Sequence, residues 1–232
     1  MLLVLGLVAQ KRRLLAATLA LLVFLLSIAV GLLGAYFHVV RAILPTAPVG
    51  QEVSIPLLVW APPILGPLTF SLVGLIGISA AWAEQPADSG TVLLLRGRKL
   101  ALPYSKTRAY LFMVGLGSLA TLISSVLDHA RTGFVNNWLW IPTAVGVIGT
   151  VAAVVLGFLD EPSRGDVRTY IAAMGLILLT GLVGSVLHIQ DDLTSQGGFV
   201  LERFIRGAPI LAPLLFSNMG MIGMAALLDP KE

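Results

Sequence analysis

From Leu14 to Phe37 the chain runs without one charged side chain, and no other feature narrows the possible folds so far. A helix rises about 1.5 Å per residue and the hydrocarbon core of a bilayer is about 30 Å thick, so about 20 apolar residues in helical form cross it. In lipid every backbone N–H and C=O must be bonded internally, which a helix achieves by itself. Five more stretches of this kind follow, at about 62–83, 109–127, 138–159, 169–187 and 208–228. With 14–37 they predict an all-α integral membrane protein of six transmembrane helices. The charged fraction of 12% supports this, since a soluble domain carries about 25%. The first run is also longer than the apolar core of a cleaved signal peptide, about 7 to 15 residues, and reads as an uncleaved signal anchor. Ahead of it, Met1 to Ala9 is too short to span and, closed by Lys11, Arg12 and Arg13, reads as an interfacial lead-in or as a wrongly chosen start.

The basic residues set the expected orientation, because cytoplasmic loops are enriched in Lys and Arg. With the N-terminus inside, eleven of the fifteen fall on the cytoplasmic side: Lys11, Arg12, Arg13, Arg96, Arg98, Lys99, Lys106, Arg108, Arg164, Arg168 and Lys231. Arg41, Arg131, Arg203 and Arg206 fall outside. Both termini are therefore expected in the cytoplasm, and the location expected is the cytoplasmic (inner) membrane. The loop from His38 to Trp60 contains Pro45, Pro48, Gly50 and Pro56, which disfavour regular helix. Glu84 to Arg108 is the most polar stretch, and within it Thr91 to Leu102 reads as a small hairpin or an interfacial segment. Basic charge split into short groups beside spans serves orientation, and no nucleic-acid partner is indicated.

Two spans are near copies. Pro63 to Gly77 reads PILGPLTFSLVGLIG and Pro209 to Gly223 reads PILAPLLFSNMGMIG, with ten of fifteen positions identical and no gap. Arg108, Tyr110, Gly115 and Leu116 recur 60 residues later as Arg168, Tyr170, Gly175 and Leu176, and Ser125-Val126-Leu127 as Ser185-Val186-Leu187. Gly34 and His38 stand 150 residues before Gly184 and His188. These matches predict three repeated helical hairpins, at about 11–86, 106–162 and 166–230, related as parallel rather than inverted repeats. The alignment is weakest in span four, which matches its counterparts only around Pro142.

The same alignment places His38, Asp128 and His188 at equivalent ends of spans one, three and five, with His129 one residue further on. These are all the histidines of the chain. Two histidines and a carboxylate from three helices suit a transition metal with open positions, and a pair of histidines suits haem b near the outer surface. The plainer reading is that His and Asp mark where helices emerge among lipid headgroups. No Glu-x-x-His or His-x-x-x-His spacing reinforces the metal reading. Ser71, Gly74 and Gly77 in one copy, and Ser217, Gly220 and Gly223 in the other, form a small-residue stripe. Such a stripe lets helix backbones approach closely in lipid, where packing drives association; lining a pore or substrate cavity is the other reading. Asn218 replaces Leu72 of the first copy and is expected to hydrogen-bond a neighbouring helix, with a ligand role as the alternative. Met219, Met221 and Met224 read as gap-filling packing residues.

Several classes are disfavoured. Without cysteine there is no disulfide framework, thiolate metal site, iron–sulfur cluster or cysteine nucleophile. Gly115-x-Gly117-x-x-Ala120 imitates part of a dinucleotide fingerprint but sits inside span three with no strand before it. No span carries an ionised residue at its middle, where ion-coupled transporters and voltage sensors hold their working charges. The expected function is a non-catalytic polytopic membrane subunit that anchors or scaffolds a larger complex, its partners being the lipid bilayer and other subunits or a second copy of itself. The alternatives are a redox subunit holding haem b or a metal, and a small permease or channel for a neutral or lipid-like substrate.

Overall fold

The computed structural model describes residues 14–43, 65–81, 84–93, 98–194, 200 and 211–228. The lead-in Met1 to Ala9 with Lys11, Arg12 and Arg13, Pro63, and Arg96, Arg203, Arg206 and Lys231 lie outside them. Of the loop expected from His38 to Trp60, the part beyond Ile43 lies outside them too, while His38 to Ile43 is not loop but the continuation of the first helix. The order of elements is α1 (Leu14–Ile43), α2 (Leu65–Ala81), β1 (Thr91–Leu93), β2 (Lys99–Ala101), α3 (Lys106–Ala130), α4 (Trp140–Phe158), α5 (Arg164–Thr194) and α6 (Leu214–Ala225). Single 3₁₀ turns, Asn137–Leu139 and Ala226–Leu228, precede α4 and follow α6. Four helices are long and apolar enough to cross a membrane: Leu19–Val40 within α1, Lys106–Ala130, Asn137–Phe158 and Arg164–Thr194. The described parts of the other two expected spans are shorter apolar helices, Leu65–Ile78 and Leu214–Leu228. The chain thus has the make-up of an all-α membrane protein. It divides into two compact units within α3, at Met113 and Val114.

In the first unit α1 and α2 run antiparallel and touch through small residues. A methyl group added at Gly31 would lie 2.6 Å from the Ser71 backbone nitrogen and 2.8 Å from the Pro67 carbonyl oxygen. One added at Gly74 would lie 2.5 Å from the Phe24 carbonyl oxygen. The backbones therefore meet with nothing between them. The Ser71 hydroxyl donates to the Ile28 carbonyl at 3.0 Å and the Ser27 hydroxyl to Phe70 at 2.7 Å. Below the crossing, Ala20, Phe24 and Ile78 form a small buried core with Leu21 and Ile28 packed against it. Tyr110, near the start of α3, donates its hydroxyl to the Ile76 carbonyl at 2.8 Å.

The polar stretch after α2 folds around one carboxylate. Glu84 accepts from the backbone N–H groups of Asp88 at 3.0 Å, of Gly90, and of Lys106 at 3.2 Å. It also bridges to Val92, beside the antiparallel pair in which Thr91 faces Ala101, Val92 faces Leu100 and Leu93 faces Lys99. Of the two readings of Thr91 to Leu102, the small hairpin is the one adopted. Gly90 takes φ +71°, a left-handed conformation that favours glycine, and its N–H is one of the three that Glu84 holds.

In the second unit α5 and α6 are also antiparallel. A methyl at Gly181 would lie 2.5 Å from both the Pro213 carbonyl oxygen and the Ser217 nitrogen. At Gly220 it would lie 2.6 Å from the Met174 carbonyl oxygen and 2.8 Å from the Leu178 nitrogen. The Ser217 hydroxyl donates to the Leu178 carbonyl at 2.9 Å, and the buried Tyr170 hydroxyl to the Gly223 carbonyl at 2.8 Å. Tyr170, Met174 and Ile177 are fully buried, with Ile177 seated on Gly149 of α4. Part of α3 and α4 run antiparallel as well, since Gly115 meets Val154 while Gly146 meets Leu122. Helix α5 starts where it does because Ser163 and Asp166 cap it reciprocally: Ser163 Oγ accepts from the Asp166 N–H at 3.2 Å, and the Asp166 carboxylate accepts from the Ser163 N–H at 2.8 Å.

Candidate functional site

Two sets of residues were singled out by the sequence, and the structure places them differently. The small-residue stripe lies at the helix crossings. Ser71, Gly74, Gly77, Ser217, Gly220 and Gly223 are all buried. Both serine hydroxyls are spent on carbonyls of the adjoining helix. The Phe24 ring packs directly on Gly77, and the Met174 sulfur and Tyr170 hydroxyl pack on Gly223. The Met219 side chain joins the buried set at 4% exposure, whereas Met221 is 51% exposed. Asn218 is exposed, and its amide finds no hydrogen bond among the described residues.

The helix-end set is shaped by how α3 stops. Gly133 adopts φ +66°, its N–H bonds the Ala130 carbonyl at 3.0 Å, and the Phe134 N–H reaches back to the His129 carbonyl at 3.4 Å. This pair of bonds is a Schellman cap, and it brings the residue after the glycine over the last helical turn. Here that residue is Phe134, whose ring meets His129 edge-on at 6.1 Å and stacks on Trp140 at 4.4 Å. Trp140 is positioned by the short turn before α4, where Asn136 Oδ1 accepts from the Trp138 N–H at 3.0 Å.

His129 is enclosed by this arrangement. Its Nδ1 is buried without a hydrogen-bond partner, the Leu139 carbonyl is within reach of the ring, and it lies near enough to His188 for each to feel the other's charge. Asp128 is held by Arg131 at 3.3 Å, which commits its carboxylate to a cation of its own turn. His38, half-buried in α1, belongs to the other compact unit. Among the described residues no group of three or more His, Asp or Glu is placed to hold a metal ion. What the site offers a metal or haem is thus a pair of imidazoles, with one buried lone pair, on α3 and α5.

One residue at this end was not singled out as a candidate ligand. The apolar run of span five ends at Leu187, but α5 continues to Thr194 and buries Asp192 to 2% exposure, with Oδ2 lacking a hydrogen bond. The available signal was its spacing: Asp192 follows His188 by four residues, which puts both on one face of a helix.

Comparison with known protein families, with curated proteins and with solved structures gives no match for this chain. What the fold defines is the class, a helical membrane protein.

Proposed function

We propose that this protein is a non-catalytic polytopic subunit of the cytoplasmic membrane that anchors or scaffolds a larger membrane assembly. In this reading the chain makes six spans in three repeated hairpins with both termini inside. The near-identical contacts of the α1–α2 and α5–α6 crossings support the repeat: Gly31, Pro67 and Ser71 at one take the places of Gly181, Pro213 and Ser217 at the other. The observation that carries the function is what the polar atoms of the stripe do. Ser71 and Ser217 give their hydroxyls to backbone carbonyls inside each crossing. These bonds tie each pair together across its crossing, as suits helices that hold a shape. Broad apolar faces remain outside them, including Leu26, Leu116, Phe158 and Leu179.

Purification of the tagged chain from its own membranes in mild detergent tests this. A different polypeptide retained in stoichiometric amount is expected; recovery of this chain alone would overturn the scaffold reading. Cysteines placed singly at Lys231 and at Arg131, in a chain that has none, test the orientation. Lys231→Cys should react with an impermeant maleimide only after the membrane is opened, and Arg131→Cys before it.

The second reading is a redox subunit, and it is favoured by one observation, the buried lone pair of His129 Nδ1 beside His188. These two residues would hold the haem or metal, and the group would supply electron transfer. A Soret band that disappears in both His129→Ala and His188→Ala would establish it.

A further inference from the structure

Helix α6 has two faces, and only one is used within the described chain. Ser217, Gly220 and Gly223 lie on α5, while the opposite side bears Leu211, Leu214, Asn218, Met221, Ala225 and Leu228. Those positions alternate at intervals of three and four residues, the seam spacing of a two-stranded coiled coil. Leu211 and Leu228, in the turns flanking the helix, are 76% and 79% exposed; Met221 is 51% exposed, and Asn218 and Ala225 are exposed as well. The first copy of this span carries Leu65, Leu68, Leu72, Leu75, Ser79 and Trp82 at the corresponding positions, and Leu72, where the second copy has Asn218, suits lipid.

Asn218 does not suit lipid. A carboxamide presents two donors and an acceptor, and in hydrocarbon each must find a partner or remain costly. It is the only carboxamide inside an apolar stretch of any described helix. An asparagine at one seam position is a device for fixing register between identical helices, because across a two-fold axis it meets itself and each amide donates to the other. Helix association in membranes uses the same polar contact.

We infer that α6 is a self-association helix: two copies of the chain pair along Leu214, Asn218, Met221 and Ala225, with the two Asn218 amides hydrogen-bonded to one another at the centre. The pairing stands independently of the scaffold reading, since it concerns a second copy of this chain and not another polypeptide.

The absence of cysteine makes the test direct. Single cysteines are introduced into the full chain at Leu214, Met221 and Ala225 on the seam, and at Leu215, Met219 and Ile222 off it, and oxidised in native membranes. Disulfide-linked homodimers are expected at the three seam positions and not at the other three. Adding Asn218→Leu to Met221→Cys should weaken dimerisation about tenfold, read as fluorescence transfer between labelled copies in vesicles as the protein is diluted in lipid. Asn218→Gln, which keeps both donor and acceptor, should recover most of it. Three outcomes would overturn the inference: cross-linking without the seam periodicity, cross-linking only to a different polypeptide or within one chain, or dimerisation unchanged by Asn218→Leu.

Discussion

Gly181→Ala is the most informative single change in the α5–α6 pair. The added methyl would stand 2.5 Å from the Pro213 carbonyl oxygen and from the Ser217 nitrogen, both backbone atoms of a helix that cannot turn aside as a side chain would. Ordinary carbon contacts begin at about 3.5 Å, so the helices must part by about 1 Å at their crossing. That displacement stretches the Ser217 to Leu178 hydrogen bond, now 2.9 Å, beyond useful length and loosens the dispersion contacts of Gly220 with Met174 and Leu178. Overpacking of this kind costs about 1 to 3 kcal/mol, and a hydrogen bond between membrane helices adds about 0.6 kcal/mol. The sum expected is about 1.6 to 3.6 kcal/mol. Gly175→Ala is the control, because nothing lies within 4 Å of a methyl there; it should be neutral or gain up to about 1 kcal/mol of helix propensity. Ser217→Ala, which loses the bond without forcing the backbones apart, should cost only about 0.6 kcal/mol. Reversible unfolding in mixed micelles, followed by circular dichroism, measures all three. If Gly181→Ala proved as stable as Gly175→Ala, the close backbone contact would not be what holds this pair.

Other perturbations separate further interactions. Tyr170→Phe removes a buried hydroxyl bonded to Gly223 and should cost about 0.6 to 1.7 kcal/mol in the same unfolding measurement. Ser163→Ala deletes the cap of α5 and should cost about 0.5 to 2 kcal/mol, with protease cleavage rising near Glu161. Glu84→Ala leaves the N–H groups of Asp88, Gly90 and Lys106 without their shared acceptor; limited proteolysis should then cut between residues 84 and 105 while α3 stays intact. Gly133→Ala forces a β-carbon into the left-handed region and should cost about 1 to 2 kcal/mol, shifting Phe134 away from His129 and Trp140 and changing the tryptophan emission.

Much of this architecture can be read from the sequence because lipid leaves so few choices. An uncharged run long enough to cross a bilayer becomes a helix, and Ser71, Gly74 and Gly77 lie where α1 and α2 meet. Helix ends were less legible. The apolar run of span five stops at Leu187, yet α5 continues to Thr194, because backbone bonding does not require an apolar side chain once a helix is under way. The same extension hid Asp192, which composition assigns to solvent. Glu84 was equally silent, since a carboxylate among other polar residues gives no sign that three N–H groups will converge on it. His129 and His188 were both marked by their positions at helix ends. The enclosure of His129, however, depends on the glycine-capped turn at Gly133 and on a ring six residues beyond that turn, a conjunction no periodicity records.

The glycine crossings also bear on how the chain meets a bilayer of the wrong thickness. A lone apolar helix answers mismatch by tilting, at a modest cost per ångström. Helices α5 and α6 touch backbone to backbone at Gly181 and Gly220, so a change in the slope of one drives atoms of the other into each other. They must lean together. The bilayer then acts on a strut two helices wide, and thinning or thickening of the membrane reaches α5 and α6 as rotation of the pair rather than as bending of one helix.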